Sequence, residues 1–204
     1  MIQQNSRPWP FQRQEMGRNV TGLGEFSALT DREVVLRRPV SGDAPMVLAG
    51  SQDPLVREFM QGVFPHADEA AAARWIETVP PLLWEQGRAA YFTVESDGLP
   101  VGWGELVAVK RAEGTAEAAV WLLPQARRMR TATAALRLVC RYGFEQLDLR
   151  RIDAYAAADN MPVQVVGAFI GFRRAGFRPG LFRSSRTHQL HDAVHATLVP
   201  EDLC

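Results

Sequence analysis

The segment Trp121-Leu122-Leu123-Pro124-Gln125-Ala126-Arg127-Arg128-Met129-Arg130-Thr131-Ala132 joins a β-rich run to the longest helical pattern of the chain. Residues 116–123 read as a strand. Downstream, Ala132, Ala135, Leu136, Val139, Cys140 and Gly143 recur at three- and four-residue spacing, which predicts a helix over 128–144 with one buried stripe. Arg130, Arg137 and Arg141 fall on its opposite face.

Upstream, the β-rich runs 90–95 and 100–109 flank Ser96-Asp97-Gly98, a short hairpin signal, so with 116–123 they predict an antiparallel meander. Before them, Val34-Val35-Leu36-Arg37-Arg38-Pro39 reads as a strand and Ser41-Gly42-Asp43 opens a short helix. Helical segments follow over 54–60 and 68–79, the second with Asp68 as N-cap and Pro80-Pro81 as its stop. Downstream of the long helix, 152–156 is a strand. Asn160 caps a helix running to Ile170, and Gly171 ends it where positive φ is favoured. Strands over 177–183 and 189–198 finish the pattern. Antiparallel strands mixed with crossover helices fit neither a Rossmann nor a barrel order.

The 204 residues suffice for one domain, here 32–204, and residues 1–31, with Pro8-Trp9-Pro10 and no clean period, read as an N-terminal extension. Apolar residues make up 47% and charged residues 23%, which excludes a disordered chain. No apolar run approaches the ~20 residues of a membrane span, and residues 1–18 lack a signal-like apolar stretch, so no membrane partner and a cytoplasmic location are expected. Cys140 and Cys204 suggest neither a disulfide framework nor a zinc cluster. His188, His191 and His195 are not read as metal ligands: strand alternation puts the first on the other face, and no ligand set is complete. Net charge is zero but uneven. Residues 120–186 hold twelve arginines against four acids, whereas residues 1–119 hold eleven bases against sixteen acids. A basic half on a neutral chain points to a local anionic partner such as phosphate groups.

From 33 to 198, the order of elements and several strings resemble the GNAT superfamily, in particular the RimJ/RimL-like branch that acetylates N-termini of ribosomal proteins. The strings are Trp121 to Arg127, Ala132-Thr133, Leu149-Arg150-Arg151-Ile152-Asp153-Ala154, Asp159-Asn160 and Gly171-Phe172-Arg173-Arg174-Ala175-Gly176-Phe177. Each is weak alone; their order and spacing are specific. The resemblance implies an α/β (α+β) fold whose mixed, mostly antiparallel central sheet of about seven strands is flanked by helices. It also implies an N-acyltransferase that carries an acyl group, normally acetyl, from acetyl-CoA or another acyl-CoA to a primary amine of a small molecule or peptide. Homodimers stay open.

In this family a glycine-rich loop at the head of the long helix holds the CoA pyrophosphate on backbone N–H groups, aided by the partial positive charge of the helix N-terminus. Here that loop reads Arg127-Arg128-Met129-Arg130-Thr131-Ala132, and the branch's two usual glycines fall on Arg128 and Arg130. One reading keeps acyl-CoA, with guanidinium groups adding phosphate contacts. A second changes the donor to an aminoacyl-tRNA, whose phosphate backbone suits an arginine surface. A third closes the pocket and leaves a non-catalytic binding module. Exposed helix arginines are also, ordinarily, a solvated face.

Acyl transfer needs a neutral amine, a stabilised oxyanion and a protonated leaving group. The resemblance places a carboxylate facing the acceptor at Glu117, with Glu105 on the neighbouring strand as a second candidate base; a solvated strand glutamate is the plain alternative for both. It places the oxyanion donor on a backbone N–H near Leu122 or Leu123, and Asn160 beside the donor. The family's Tyr or Ser acid falls on Gly167 or Val163, neither of which can donate a side-chain proton. Tyr155 or Tyr142 are substitutes, unless they are core aromatics. Trp75, Trp84, Trp103 and Trp121 suit an acceptor pocket or the core.

Overall fold

A computed structural model describes residues 22–60 and 65–204. The first part of the expected N-terminal extension, residues 1–21, lies outside the described residues. The elements run β1 (Leu29–Asp31), β2 (Val34–Arg37), α1 (Ala44–Gln52), α2 (Pro54–Phe59), α3 (Glu69–Glu85), β3 (Ala90–Ser96), β4 (Leu99–Lys110), β5 (Thr115–Leu122), α4 (Met129–Glu145), β6 (Arg151–Ala157), α5 (Met161–Phe169), β7 (Arg173–Arg183) and β8 (Leu190–Leu198). The strands form one eight-stranded sheet in the order β1-β2-β3-β4-β5-β6-β8-β7. Its pairs are antiparallel except β5–β6. The expected mixed sheet flanked by helices is thus present, with one further strand at the β1 edge. Leu29–Asp31, assigned to the extension from sequence, pairs with β2 and belongs to the sheet.

One face of the sheet buries Leu36, Phe92, Leu106 and Ile152 against Leu138, Val139 and Tyr142 of α4. The other packs Trp103 and Trp121 under Met46 and Val47 of α1 and Ala72 and Ile76 of α3. Burying each large aliphatic side chain contributes about 1.5–3 kcal/mol, so α4 and α1–α3 clamp the sheet from both sides. The β3–β4 hairpin turns on Asp97 and Gly98, both with positive φ (53° and 75°), the conformation a two-residue connection demands. Gly171 also takes the expected positive φ, 107°, after α5.

Pro80 and Pro81 do not stop α3, which continues to Glu85. A proline inside a helix removes a backbone bond and costs about 3 kcal/mol. The last turn survives because Trp84 is anchored: it is buried, its Nε1 donates to the Gly24 carbonyl at 2.9 Å, and the Arg38 guanidinium lies 4.2 Å above its ring. Tertiary packing there outweighs local propensity.

Candidate active site

β5 and β6 pair only at Thr115–Arg151, Ala116–Ile152 and Glu117–Asp153. Beyond that point β5 runs on beside β4 and β6 beside β8, so a gap opens in the sheet. The N–H of Leu123 donates to the Val101 carbonyl at 2.8 Å, which removes Leu123 as a free oxyanion donor. Amide direction alternates along an antiparallel ladder, so the N–H groups of Leu122 and Val120 turn away from β4, toward the gap. Of the two expected positions, Leu122 is the one whose N–H turns to the gap.

The chain crosses from β5 to α4 through Pro124–Ala126, and α4 begins at the gap. Within this crossing, the N–H of Arg127 bonds to Pro124 O (3.3 Å), that of Arg128 to Ala126 O (2.7 Å) and that of Ala132 to Arg128 O (2.9 Å). The first-turn amides of Met129, Arg130 and Thr131 remain without an intrahelical partner, and the N-cap residue, Arg128, supplies no side-chain cap. These are the groups a phosphate can use. Arg128 sits at φ −112°, so an arginine at this glycine position is unstrained.

Arg127 does different work from that expected. Its Nε donates to Leu122 O at 2.9 Å and its Nη2 to Asp53 at 2.5 Å, while Asp53 caps α2 through the amides of Leu55 and Val56. The guanidinium thus fastens β5 to α2 rather than facing a ligand. Arg130 pairs with Glu33 at 3.0 Å on the surface, and Arg128 has no ion pair among the described residues. Asn160 stands at the N-cap of α5 but makes no capping bond with its side chain, which leaves its amide open to another partner.

On the face opposite α4, cross-strand register puts Glu105 and Glu117 on one side of the sheet with Asp153, Tyr155 and His195. Burial, chiefly, and then the charge of Asp153 raise Glu117 above the usual carboxylate range. Glu105 is pushed up to about 7, first by burial and then by Glu117, against a hydrogen bond from Trp103. Tyr91, Trp75 and Trp103 form an aromatic wall beside it, with centroids 5.4–5.9 Å apart. Trp84, by contrast, belongs to the core under α4.

Asp153 accepts from His195 Nε2 at 2.8 Å and from Arg151 Nε at 3.1 Å, and the His195 ring stacks on Tyr155. No local sequence pattern signals this cluster, because its residues come together only through the pairing of β6 with β8. His191 and His195 do share a face of β8, but each is held by its own carboxylates, whereas His188 lies in the turn before β8 with φ 61°. Tyr142 proves to be a core aromatic, packed among Phe26, Trp84 and Phe92.

Residues 33–173 match the family model described as an acetyltransferase (GNAT) domain. Among solved structures, RimJ of Mycobacterium smegmatis, in complex with CoA-disulfide, is 26% identical with a TM-score of 0.71, over 83% of each chain. RimL, a ribosomal L7/L12 α-N-protein acetyltransferase in complex with coenzyme A, is 13% identical with a TM-score of 0.74, over 85% of this chain and 98% of that one. A spermidine N-acetyltransferase from Vibrio cholerae, with CoA and spermine, is 16% identical with a TM-score of 0.72, over 84% and 98%. No curated protein sequence matches the chain.

Proposed function

The chain belongs to the GNAT acetyltransferase family and is an acyltransferase, and on that premise we propose that it carries an acetyl group from acetyl-CoA to the primary amine of a small molecule or peptide. The observation that carries this reading is the β5–β6 gap, which opens between the free first-turn amides of α4 and the half-buried carboxylate of Glu117. The amides of Met129, Arg130 and Thr131, with the Arg128 and Arg130 side chains beside them, would hold the donor's pyrophosphate. The inward-turned N–H of Leu122, or of Val120, would receive the negative oxygen that develops on the acyl carbon. Asn160 lies at the head of the helix across the gap and would steady the donor there.

An ammonium cannot attack. Glu117 is the group that would take its proton, directly or through a water, and a carboxylate raised above its ordinary range is better matched to that task than a fully solvated one. Glu105 and the aromatic wall of Tyr91, Trp75 and Trp103 would receive the body of the acceptor. The acceptor's class follows from this pairing of carboxylate and aromatic surface: a primary amine that arrives as a cation.

Titration calorimetry of the protein with CoA, acetyl-CoA and bulk aminoacyl-tRNA tests the donor, followed by turnover of acetyl-CoA with spermine and with a peptide bearing a free α-amino group. Binding of CoA and release of thiol are expected. Salt-dependent capture of tRNA without CoA binding would transfer the donor role to an aminoacyl ester.

A further inference from the structure

Past Glu117–Asp153 no ladder pair joins β5 to β6 among the described residues, yet the two lips of the gap must keep their spacing for a donor and an acceptor to meet. The near lip carries Leu122 and the start of α4; the far lip carries Asn160 and the start of α5. None of the nine residues of α5 is buried, so its first turn is anchored less by apolar burial than by polar ties. Gln164 Nε2 donates to the Ala157 and Ala158 carbonyls at 3.1 Å, the Ala158 N–H donates to Asp192 O at 2.7 Å, and Asp159 lies 2.9 Å from His191 Nδ1.

We propose that His191 is a positioning residue for the transfer: through Glu58 and Asp159 it straps α2 across the β5–β6 gap and sets the spacing of the two lips. This rests on the acetyl-CoA reading above. The strap is a continuous run of contacts. At the near lip Arg127 Nε donates to Leu122 O at 2.9 Å, and Arg127 Nη2 donates to Asp53, the N-cap of α2. α2, six residues and about 9 Å long, carries Glu58 near its other end. There His191 Nε2 meets Glu58 Oε1 at 2.9 Å, while its Nδ1 meets Asp159, the residue before Asn160. Phe59 stands edge-on to the imidazole, with ring centroids 5.6 Å apart, and packs on Ala157, Phe182 and Ala193. Strand alternation puts Ala157 on the sheet face of Glu117 and Asp153, so α2 lies over the acceptor side of the gap.

Glu58 and His191 are both buried, with side-chain exposures of 8% and 6%. Glu58 also accepts from Ser184 Oγ and Arg186 Nε at 2.9 Å and from Thr187 Oγ1 at 3.1 Å, so the turn between β7 and β8 closes on the same carboxylate. An apolar contact would hold α2 as tightly as such a cluster. Directed bonds add a fixed geometry: the imidazole presents both nitrogens in one plane, one to α2 and one to the β6–α5 turn. Misplacing a reacting group by about 1 Å costs on the order of 100-fold in rate, and this is the scale on which the strap acts.

The test compares kcat, KM for the amine and calorimetric CoA affinity in wild type, His191→Ala, Asp159→Ala and Asp159→Asn, with acetyl-CoA as donor and spermine or a free-amine peptide as acceptor. The Asp159 side chain is 58% exposed, so its variants carry the test should His191→Ala fail to fold. H191A and D159A should each lower kcat by about 10- to 100-fold, while CoA affinity, set at the α4 amides, stays at the wild-type value. The double variant should lose no more than the larger single, because both act through one link. Asp159→Asn keeps an oxygen for His191 Nδ1 and should recover most of kcat. Wild-type kcat in D159A, or a loss of CoA affinity as large as the loss of kcat, overturns the positioning role and leaves the transfer reading intact. Absence of both CoA binding and turnover in the wild type overturns the transfer reading, and the role of His191 falls with it.

Discussion

Arg127 Nη2 lies 2.5 Å from Asp53 Oδ1, so a guanidinium at the end of β5 is joined to the carboxylate that caps α2. The pair is mostly shielded, with side-chain exposures of 29% and 8%. Asp53→Ala removes both the cap and the ion pair and should cost about 2–3 kcal/mol. Asp53→Asn keeps an oxygen for the Leu55 and Val56 amides and should cost about 1 kcal/mol. Urea unfolding of the two variants separates the contributions; equal losses would mean that the cap adds nothing, and an Asp53→Asn variant as stable as wild type would mean that Arg127 adds nothing.

The same linkage takes Arg127 away from the ligand, so cationic help for a phosphate falls to Arg128 and Arg130. Replacing both with alanine should weaken acetyl-CoA binding by about 5- to 30-fold and flatten its salt dependence, since two charge-assisted contacts are lost while the amides remain. Calorimetry at two ionic strengths reads both effects. Unaltered affinity at low and high salt would assign the pyrophosphate to backbone groups alone.

The local signals that placed the β3–β4 hairpin, α4 and the end of α5 were strong because each depends on residues close in sequence: Asp97 with Gly98, the apolar stripe from Ala132 to Gly143, and Gly171. The departures have long-range causes. Pro80 and Pro81 read as a stop, and only the contacts of Trp84 with Gly24 and Arg38 carry the helix past them. Leu29–Asp31 is too short to show a period, and its pairing with β2 makes it a strand. The choice between Leu122 and Leu123 is a matter of ladder parity, which the Leu123–Val101 bond reveals. His195 reaches Asp153 across 42 residues because β8 inserts beside β6, ahead of β7 in the sheet order; no local pattern announces that insertion.

On the proposed reading Glu117 takes the amine's proton and must be ionised, so the rate should rise with pH through a limb above the ordinary carboxylate range, as its burial and the charge of Asp153 dictate. Glu117→Gln should remove that limb and cut kcat/KM by about 100-fold, leaving only the rise that follows the amine's own deprotonation, near pH 8 for an α-amine and higher for an alkyl amine. Glu105, pushed up to about 7 by burial and then by the Glu117 charge, is still protonated where Glu117 ionises, so Glu105→Gln should leave the Glu117 limb in place. A profile unaffected by Glu117→Gln removes that carboxylate from proton transfer.

His191 places both ring nitrogens 2.9 Å from carboxylate oxygens, Nε2 from Glu58 and Nδ1 from Asp159. A neutral imidazole has one N–H and can satisfy only one of them, so the arrangement requires the imidazolium. Burial pulls the proton off, but the hydrogen bonds to Glu58 and Asp159 outweigh it, and the net shift is upward. Glu58 is itself held low, because hydrogen bonds from Ser184, His191, Thr187 and Arg186 overcome its burial. The two groups therefore act in opposite pH windows. His191 stabilises fully below its unfolded value near 6.5, and that contribution is lost as pH rises through the raised native value. Glu58 stabilises above its unfolded value near 4.5, and that contribution is lost as pH falls through the lowered native value. Urea midpoints measured from pH 4 to pH 10 should thus peak between the two windows in the wild type. In His191→Gln the alkaline decline should flatten and the midpoint near neutrality should be lower, because Glu58 and Asp159 lose their shared cation; an alkaline limb identical to wild type would mean that the imidazole is neutral in the fold.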